Sequence, residues 1–186
     1  MHTMKTMSRK TMSRMALAAA LLLLVACQSQ NAQSTTGNAN PADVRFTTNA
    51  YQIIEFDRQE GALAQTQAKS PEVKALSQQL TNQANDYATR LAPTAMAASI
   101  KPPSILREDL RVRLGHMRLQ QGLDFDRTYI ADQIASHEEL LRMEGGMNEG
   151  NASPQFATLM RQGTSLVQQN LDKLRELQSR MGMPKA

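Results

Sequence analysis

The chain has 186 residues, enough for one domain with additional segments. Its net charge of +4 does not indicate a nucleic-acid-binding protein, because four of its 21 basic residues and none of its 17 acidic residues precede Cys27. Beyond Cys27 the charges balance, so the basic block that binds phosphate backbones is missing and no nucleic-acid partner is expected. Aromatic residues make up only 4% and tryptophan is absent, which favours helices over strands.

Residues 1–26 are predicted to be a lipoprotein signal peptide. The basic stretch 1–14 is followed by the uncharged apolar stretch Met15–Ala26. That stretch would make about 18 Å of helix, too short for a hydrocarbon core of about 30 Å. Leu24–Cys27 (LVAC) resembles the bacterial lipobox, in which a small residue precedes the cut and the cysteine thiol receives the lipid. We therefore expect cleavage before Cys27 and lipid on that cysteine.

Residues 27–45 are predicted to form the lipidated start of the mature protein and a disordered tether. The sequence after Cys27 is rich in Gln, Asn, Ser and Thr and contains few apolar residues, so it cannot pack into a core. Lipid chains contribute about 0.8 kcal/mol per buried CH₂, and the membrane is therefore an expected partner. By resemblance to envelope lipoproteins, Gln28 in place of aspartate indicates the outer membrane, on its periplasmic side.

Residues 46–182 are assigned to a helical domain. The first helix is predicted over 46–68, and the second begins at Ser70–Glu72, where serine, proline and an acidic residue favour a helix start. Pro93 is expected to end this second helix. A connector rich in proline follows it, over residues 93–103.

Three further helices are predicted after the connector. Ser104 is expected to cap a short third helix that runs to Gln120 and is closed by Gly122. A fourth helix, capped by Asp124, covers 125–143.

The fifth predicted helix opens with a repeated pattern. Ser153–Leu159 matches Ser70–Leu76 in residue type, and this last helix runs over 154–181. Each Ser-Pro start would open the second helix of a hairpin. Two hairpins joined by a connector with a short helix predict an all-α domain, a four-helix bundle of ferritin-like plan.

Two motifs resemble those of a known family. Phe125–Tyr129 (FDRTY), with His137 and Glu138 after it, and the helix start Ser70–Lys74 are similar to motifs of the domain of unknown function 4142 family. Members are bacterial envelope proteins. The resemblance covers roughly residues 46–180, and it implies a four-helix bundle with no established activity.

The chain departs from this family at several polar positions. Where members often carry Asp-His in the second long helix, this chain has Gln83 and Ala84. Where they often carry proline and a later histidine in the last helix, it has Ser165 and Asn170. Only His137 remains of the three histidines, so a metal or polar site built from them would be incomplete.

His137 is the leading candidate for a polar site in the core. It shares its helical stripe with three apolar residues: Ile130, Ile134 and Leu141. We interpret it as a buried neutral histidine hydrogen-bonded to Asp57 or Asp126, with a ligand or proton-transfer role as the alternative. His116, on the short helix, is expected to be exposed.

No motif for catalysis is found in the sequence. It lacks Gly-x-Ser-x-Gly and a phosphate-binding glycine loop. A di-iron bundle requires Glu-x-x-His on two helices, and neither the second nor the fifth predicted helix contains histidine. We therefore expect no enzymatic activity, no cofactor and no metal.

Three hypotheses for the function remain open. The first is a lipid-anchored, non-catalytic interaction or envelope-maintenance module, which predicts an apolar patch that faces an envelope protein. The alternative is a metal-binding or stress-related bundle, in which His137 and Asp57 converge with methionine thioethers. Those methionines are Met143, Met147, Met181 and Met183. A third, a carrier of a hydrophobic ligand, requires a cavity between the helices.

Overall fold

The computed structural model describes residues 39–145 and 149–184. They form five α-helices and one short 3₁₀ helix: α1 Pro41–Gln67, α2 Pro71–Ala97, α3 Glu108–Met117, α4 Gly122–Gly145, the 3₁₀ helix Glu149–Asn151, and α5 Pro154–Arg180. The predicted signal peptide, Cys27 and residues 28–38 of the predicted tether lie outside the described residues. Within the described ranges, no helix has both the length and the apolar character that crossing a membrane requires.

The long helices form a four-helix bundle built from two hairpins, α1–α2 and α4–α5, as predicted. Ala68, just after α1, forms a backbone bridge with Gly122 at the start of α4. Ser153, just before α5, bonds to Asp43 near the start of α1. Helix α2 ends beside the start of α1, whereas α4 begins beside the end of α1. The connector between α2 and α4 must therefore run the length of the bundle. This long crossover, which carries α3, is the ferritin-like plan.

Helix α1 begins five residues earlier than predicted, at Pro41 instead of residue 46, so the end of the predicted tether is helical. Asn40 caps the helix by accepting a hydrogen bond from the Ala42 N–H at 2.8 Å, and Pro41 occupies the first helical position. Ala42 and Asp43 are buried against the rest of the bundle. The polar composition of the segment around residues 41–45 does not predict a helix start, but tertiary packing stabilises one there.

Helix α2 does not end at Pro93, as the sequence predicted, but continues to Ala97 with the proline inside its last turns. Proline removes one hydrogen bond from the helix. The buried side chains of Ala95 and Ile100, which belong to the core beyond it, hold the last turn in place. Packing therefore offsets the local cost of the proline.

The third helix is shorter than predicted, and Ser104 does not cap it. The Gln52 side chain donates to the Ile105 carbonyl at 2.9 Å and accepts from the Arg107 N–H at 2.8 Å. These two bonds hold the segment before Glu108 outside the helix. Gly122, predicted to close α3, is instead the first residue of α4, with φ +63°.

Two apolar clusters fill the two ends of the bundle. At one end, the rings of Phe46 and Phe156 meet edge to face with centroids 6.3 Å apart. At the other end, the rings of Phe125 and Tyr129 stack at 6.0 Å. A third cluster, around Phe56, packs α3 against the outside of α1 and α4. Buried polar side chains occupy the layer between the two ends, and they form the candidate site.

Candidate functional site

Gln133 of α4 joins the buried polar side chains of this layer. Its Nε2 donates to Asp57 Oδ1 at 3.0 Å and to Glu60 Oε2 at 2.6 Å, and its backbone carbonyl lies 2.9 Å from His137 Nδ1. All four residues are buried. Because a carbonyl only accepts, His137 Nδ1 carries the proton and donates it, which leaves Nε2 as a free acceptor.

Burial controls the protonation of this layer. It raises the pKa of Asp57 to about 7, against the opposing effects of the Gln133 hydrogen bond and the Arg113 charge. Burial, with repulsion from Asp132, raises the pKa of Glu60 well above its ordinary value. Burial also lowers the pKa of His137 to about 4. At neutral pH His137 is therefore neutral.

A cavity of about 50 Å³ lies where the four long helices meet. Six polar side chains line it: Asp57, Gln83, Tyr87, His137, Glu144 and Asn170. One water needs about 10–15 Å³ of such space, so the cavity accommodates a few waters or an ion. Small-molecule sites measure about 300 Å³ or more, and the volume therefore counts against a carrier of a hydrophobic ligand.

Glu144 and Tyr87 line the same cavity. Glu144 accepts a hydrogen bond from Thr164 Oγ1 at 2.7 Å, and burial raises its pKa to about 7. The Tyr87 hydroxyl donates to the Leu159 carbonyl at 2.7 Å. A Cβ atom at Gly163 would lie 2.7 Å from that hydroxyl oxygen, so only glycine allows this approach between α2 and α5.

The hydrogen bond predicted from His137 to a carboxylate is wrong, because the partner is the Gln133 carbonyl. Asp126 lies elsewhere: its carboxylate accepts from the N–H groups of Lys69 at 3.0 Å and Ser70 at 2.9 Å, in the turn between α1 and α2. Asp57 does share the cavity with His137. The structure therefore brings together two of the three residues proposed from the sequence.

The other predicted ligands lie away from the cavity. Met143 packs in the cluster around Phe56, and Met181 and Met183 pack at one end of the bundle. Met147 lies outside the described residues. In the described ranges, no group of three or more His, Cys, Asp or Glu side chains is arranged to hold a metal. The structure does not support a metal site that uses these methionines.

Sequence reasoning did not select Glu60, Gln133 or Glu144 as site residues. Glu60 follows Asp57 by three positions, and Gln133 precedes His137 by four, so each lies on the same helical face as a residue that was selected. Glu144 follows His137 by seven, two turns further along the same face. Helical spacing from the selected residues is the signal that would have found them.

Comparison with known proteins gives the family. A model for a domain of unknown function, DUF4142, matches residues 28–177. The chain belongs to this family. No curated protein matches it.

Among solved structures, the crystal structure of a DUF305 fragment from Deinococcus radiodurans is similar to this DUF4142 protein. The TM-score is 0.68 at 15% sequence identity, and the match covers 76% of this chain and 98% of that chain. At this identity the likeness concerns the fold alone. DUF305, like DUF4142, is named as a domain of unknown function.

Proposed function

We propose that this DUF4142 protein is a lipid-anchored, non-catalytic interaction module of the outer membrane, held on its periplasmic side through Cys27. Three features of the sequence support the anchor: the apolar stretch Met15–Ala26, the lipobox-like Leu24–Cys27, and the polar segment after the cysteine. The interaction role is supported by the surface of the bundle.

An exposed apolar face along the connector carries this proposal. We call it the connector face and define it by four side chains: Ile105, Val112, Leu119 and Leu123. They are 69%, 60%, 81% and 48% exposed. Val112 lies within α3 and Leu119 lies two residues beyond the end of that helix. Four of the six large apolar side chains exposed in the described ranges fall within residues 105–123, and a concentration of exposed apolar side chains is typical of interaction sites.

The surroundings of the connector face also fit a protein interface. A surface groove of about 320 Å³ lies beside Ile105, between α1 and the prolines of the connector, with Tyr51 and Arg58 in its walls. The exposed side chains of Arg111 and Arg118 flank the apolar residues. An apolar centre with a charged rim is the usual arrangement of a protein interface. The expected partner is an envelope protein with a complementary apolar surface.

The anchor and the face are tested separately. The protein extracted from its membranes should have the mass of a lipidated chain that begins at Cys27, and Cys27→Ser should release it from the membrane fraction. A Cys27→Ser protein that stays in the membrane fraction, or a wild-type mass without lipid, would contradict the anchor.

The interaction is tested with the double variant Val112→Ser/Leu119→Ser. Exposed positions affect stability little, so the variant should fold as the wild type does. In native mass spectrometry of gently extracted envelopes, the wild type should form a complex that the double variant has lost. Gln169→Ser, on the exposed side of α5, is the matched control and should retain the complex. Equal complexes in the wild type and the double variant would contradict the proposal.

A further inference from the structure

The cavity between the four long helices has side chains suited to hold a cation. We propose that it binds one divalent metal ion of the kind that accepts both nitrogen and oxygen ligands. His137 and Asp57 would be its ligands, together with the amide oxygens of Gln83 and Asn170. This site goes beyond the proposed interaction function, because it involves neither Cys27 nor the connector face.

His137 is oriented as a ligand would be. Its Nδ1–H donates to the Gln133 carbonyl, so Nε2 has the free lone pair. Nε2 has no hydrogen-bond partner among residues 39–145 and 149–184, and the side chain lines the cavity. Metal-binding histidines nearly always donate their other ring N–H to a carbonyl or carboxylate, which fixes the ring and its tautomer.

Asp57 provides a buried carboxyl group that forms no salt bridge within the part of the chain that the structure describes. It is 8% exposed, and although the Arg113 charge acts on it, the Arg113 guanidinium forms its salt bridge with Asp132. Its Oδ1 accepts from Gln133 Nε2, which fixes the orientation of the group. Buried charges are normally paired or coordinate metals, and a metal ion in the adjoining cavity would place a positive charge in direct contact with the Asp57 carboxylate.

Two amide oxygens in the same cavity wall also lack partners. Gln83 Oε1 and Asn170 Oδ1 are buried and accept no hydrogen bond from the described residues, and Asn170 as a whole is only 5% exposed. Most buried polar atoms in proteins have a partner. Asp57, Gln83, His137 and Asn170 come from α1, α2, α4 and α5 respectively, so each long helix contributes one side chain.

The donor set and the volume restrict the ligand. One imidazole nitrogen with oxygens suits Zn²⁺, Co²⁺ or Ni²⁺, whereas Mg²⁺ and Ca²⁺ take oxygen ligands alone. A volume of about 50 Å³ accommodates one ion with a few waters. The sequence indicated His137 and Asp57 as candidate ligands, whereas Gln83 and Asn170 were noted only as departures from the family pattern.

The test uses the full chain, treated with a chelator and carrying Cys27→Ser in every arm so that no thiol contributes. Co²⁺ binding is followed by visible absorption and Zn²⁺ binding by calorimetry, and we expect one ion per chain. Asp57→Asn keeps the shape of the side chain and should weaken binding at least about tenfold, as the loss of even a supporting group does. His116→Ala removes an exposed histidine outside the cavity and should change nothing.

Asn170→Asp provides a second measurement that misfolding cannot imitate. It adds an anionic ligand to the cavity wall and should tighten binding by about tenfold or more, because a carboxylate attracts a divalent cation more strongly than an amide oxygen does. It should also make the folded protein less stable without metal and restore stability when metal is added. The proposal is overturned if the parent protein binds no ion in the cavity. Equal affinities of Asp57→Asn and His116→Ala, or no gain with Asn170→Asp, would overturn it equally.

Discussion

Asp43 and Asp126 perform the same task in the two halves of the bundle. Asp43, near the start of α1, accepts hydrogen bonds from the N–H and hydroxyl of Ser153. Asp126, near the start of α4, accepts from the N–H groups of Lys69 and Ser70. Each aspartate thus holds the turn before the Ser-Pro helix start of the other hairpin. The sequence repeat at Ser70 and Ser153 therefore corresponds to the same arrangement of hydrogen bonds at the two turns.

Asp126→Asn tests this arrangement of hydrogen bonds. The asparagine keeps the shape of the side chain but places an amide NH₂ where one carboxylate oxygen accepts a backbone N–H. We expect the free energy of unfolding to fall by about 1–3 kcal/mol, the usual loss for a buried charge-assisted hydrogen bond. Urea denaturation measures it. Asp124→Asn, two residues away and exposed beside Arg127, is the control. Equal losses in the two variants would contradict a specific role for Asp126.

Gly163→Ala tests the close packing of α2 against α5. The added Cβ would lie 2.7 Å from the Tyr87 hydroxyl oxygen and 3.1 Å from Cζ. Tyr87 must then move and lose its bond to the Leu159 carbonyl, so we expect a loss of about 1–3 kcal/mol, typical of overpacking.

The matched control for Gly163→Ala is Gly115→Ala in α3, where an added Cβ meets no described atom within 4 Å. There alanine should stabilise the helix by about 0.5–1 kcal/mol, because glycine loses more backbone entropy on folding. Thermal unfolding compares the two variants. If both raise the melting temperature, the packing described at Tyr87 is wrong.

Glu144 makes stability depend on pH. Burial raises its pKa from 4.5 to about 7, so the folded protein binds this proton more tightly than the unfolded chain does. Its contribution to stability is complete below pH 4.5 and is lost as the pH rises through 7. Glu144→Gln removes this dependence. Relative to wild type, the variant should gain about 1–3 kcal/mol between pH 4.5 and 7.5, if it retains the bond to Thr164.

The measurement for Glu144 is urea denaturation across this pH range. Glu138→Gln is the control, since Glu138 is half exposed and pairs with Arg175 on the surface. The free energy of unfolding of Glu138→Gln should vary with pH as that of the wild type does. If the free energy of unfolding of Glu144→Gln also varies with pH as that of the wild type does, the Glu144 carboxyl does not hold its proton in the folded state.

Local signals predicted the helices well. The Ser-Pro starts at Ser70 and Ser153 precede α2 and α5 in the structure, at the residues expected. The errors occurred where distant residues decide the outcome. Gln52 holds the segment at Ile105 out of α3, and burial of Ala95 carries α2 past its proline. Gln52 is 53 residues from Ile105, and Ala95 belongs to a core cluster that includes Phe46 and Phe156 from other helices.

The candidate site could be predicted only in part. The apolar stripe around His137 predicted that this side chain faces the core. The stripe does not show which residues of the neighbouring helices lie opposite His137. The pairing of His137 with Asp126 was a different error, because both lie in α4 and the 11 residues between them span about 16 Å of helix, too far for a hydrogen bond. The contacts of Gln133 and the unpartnered oxygen of Asn170 depend on the register between helices, which the sequence alone does not define.

Site-specific photo-crosslinking from the connector face, in living cells, tests the central claim most directly. A photoreactive amino acid replaces Leu119, and the same probe at Gln169 on α5 is the control. We predict one discrete adduct with an envelope protein from position 119, lost when Val112→Ser is added, and no such adduct from position 169. No adduct from position 119, or the same adduct from both positions, would contradict the account of this face as the binding surface.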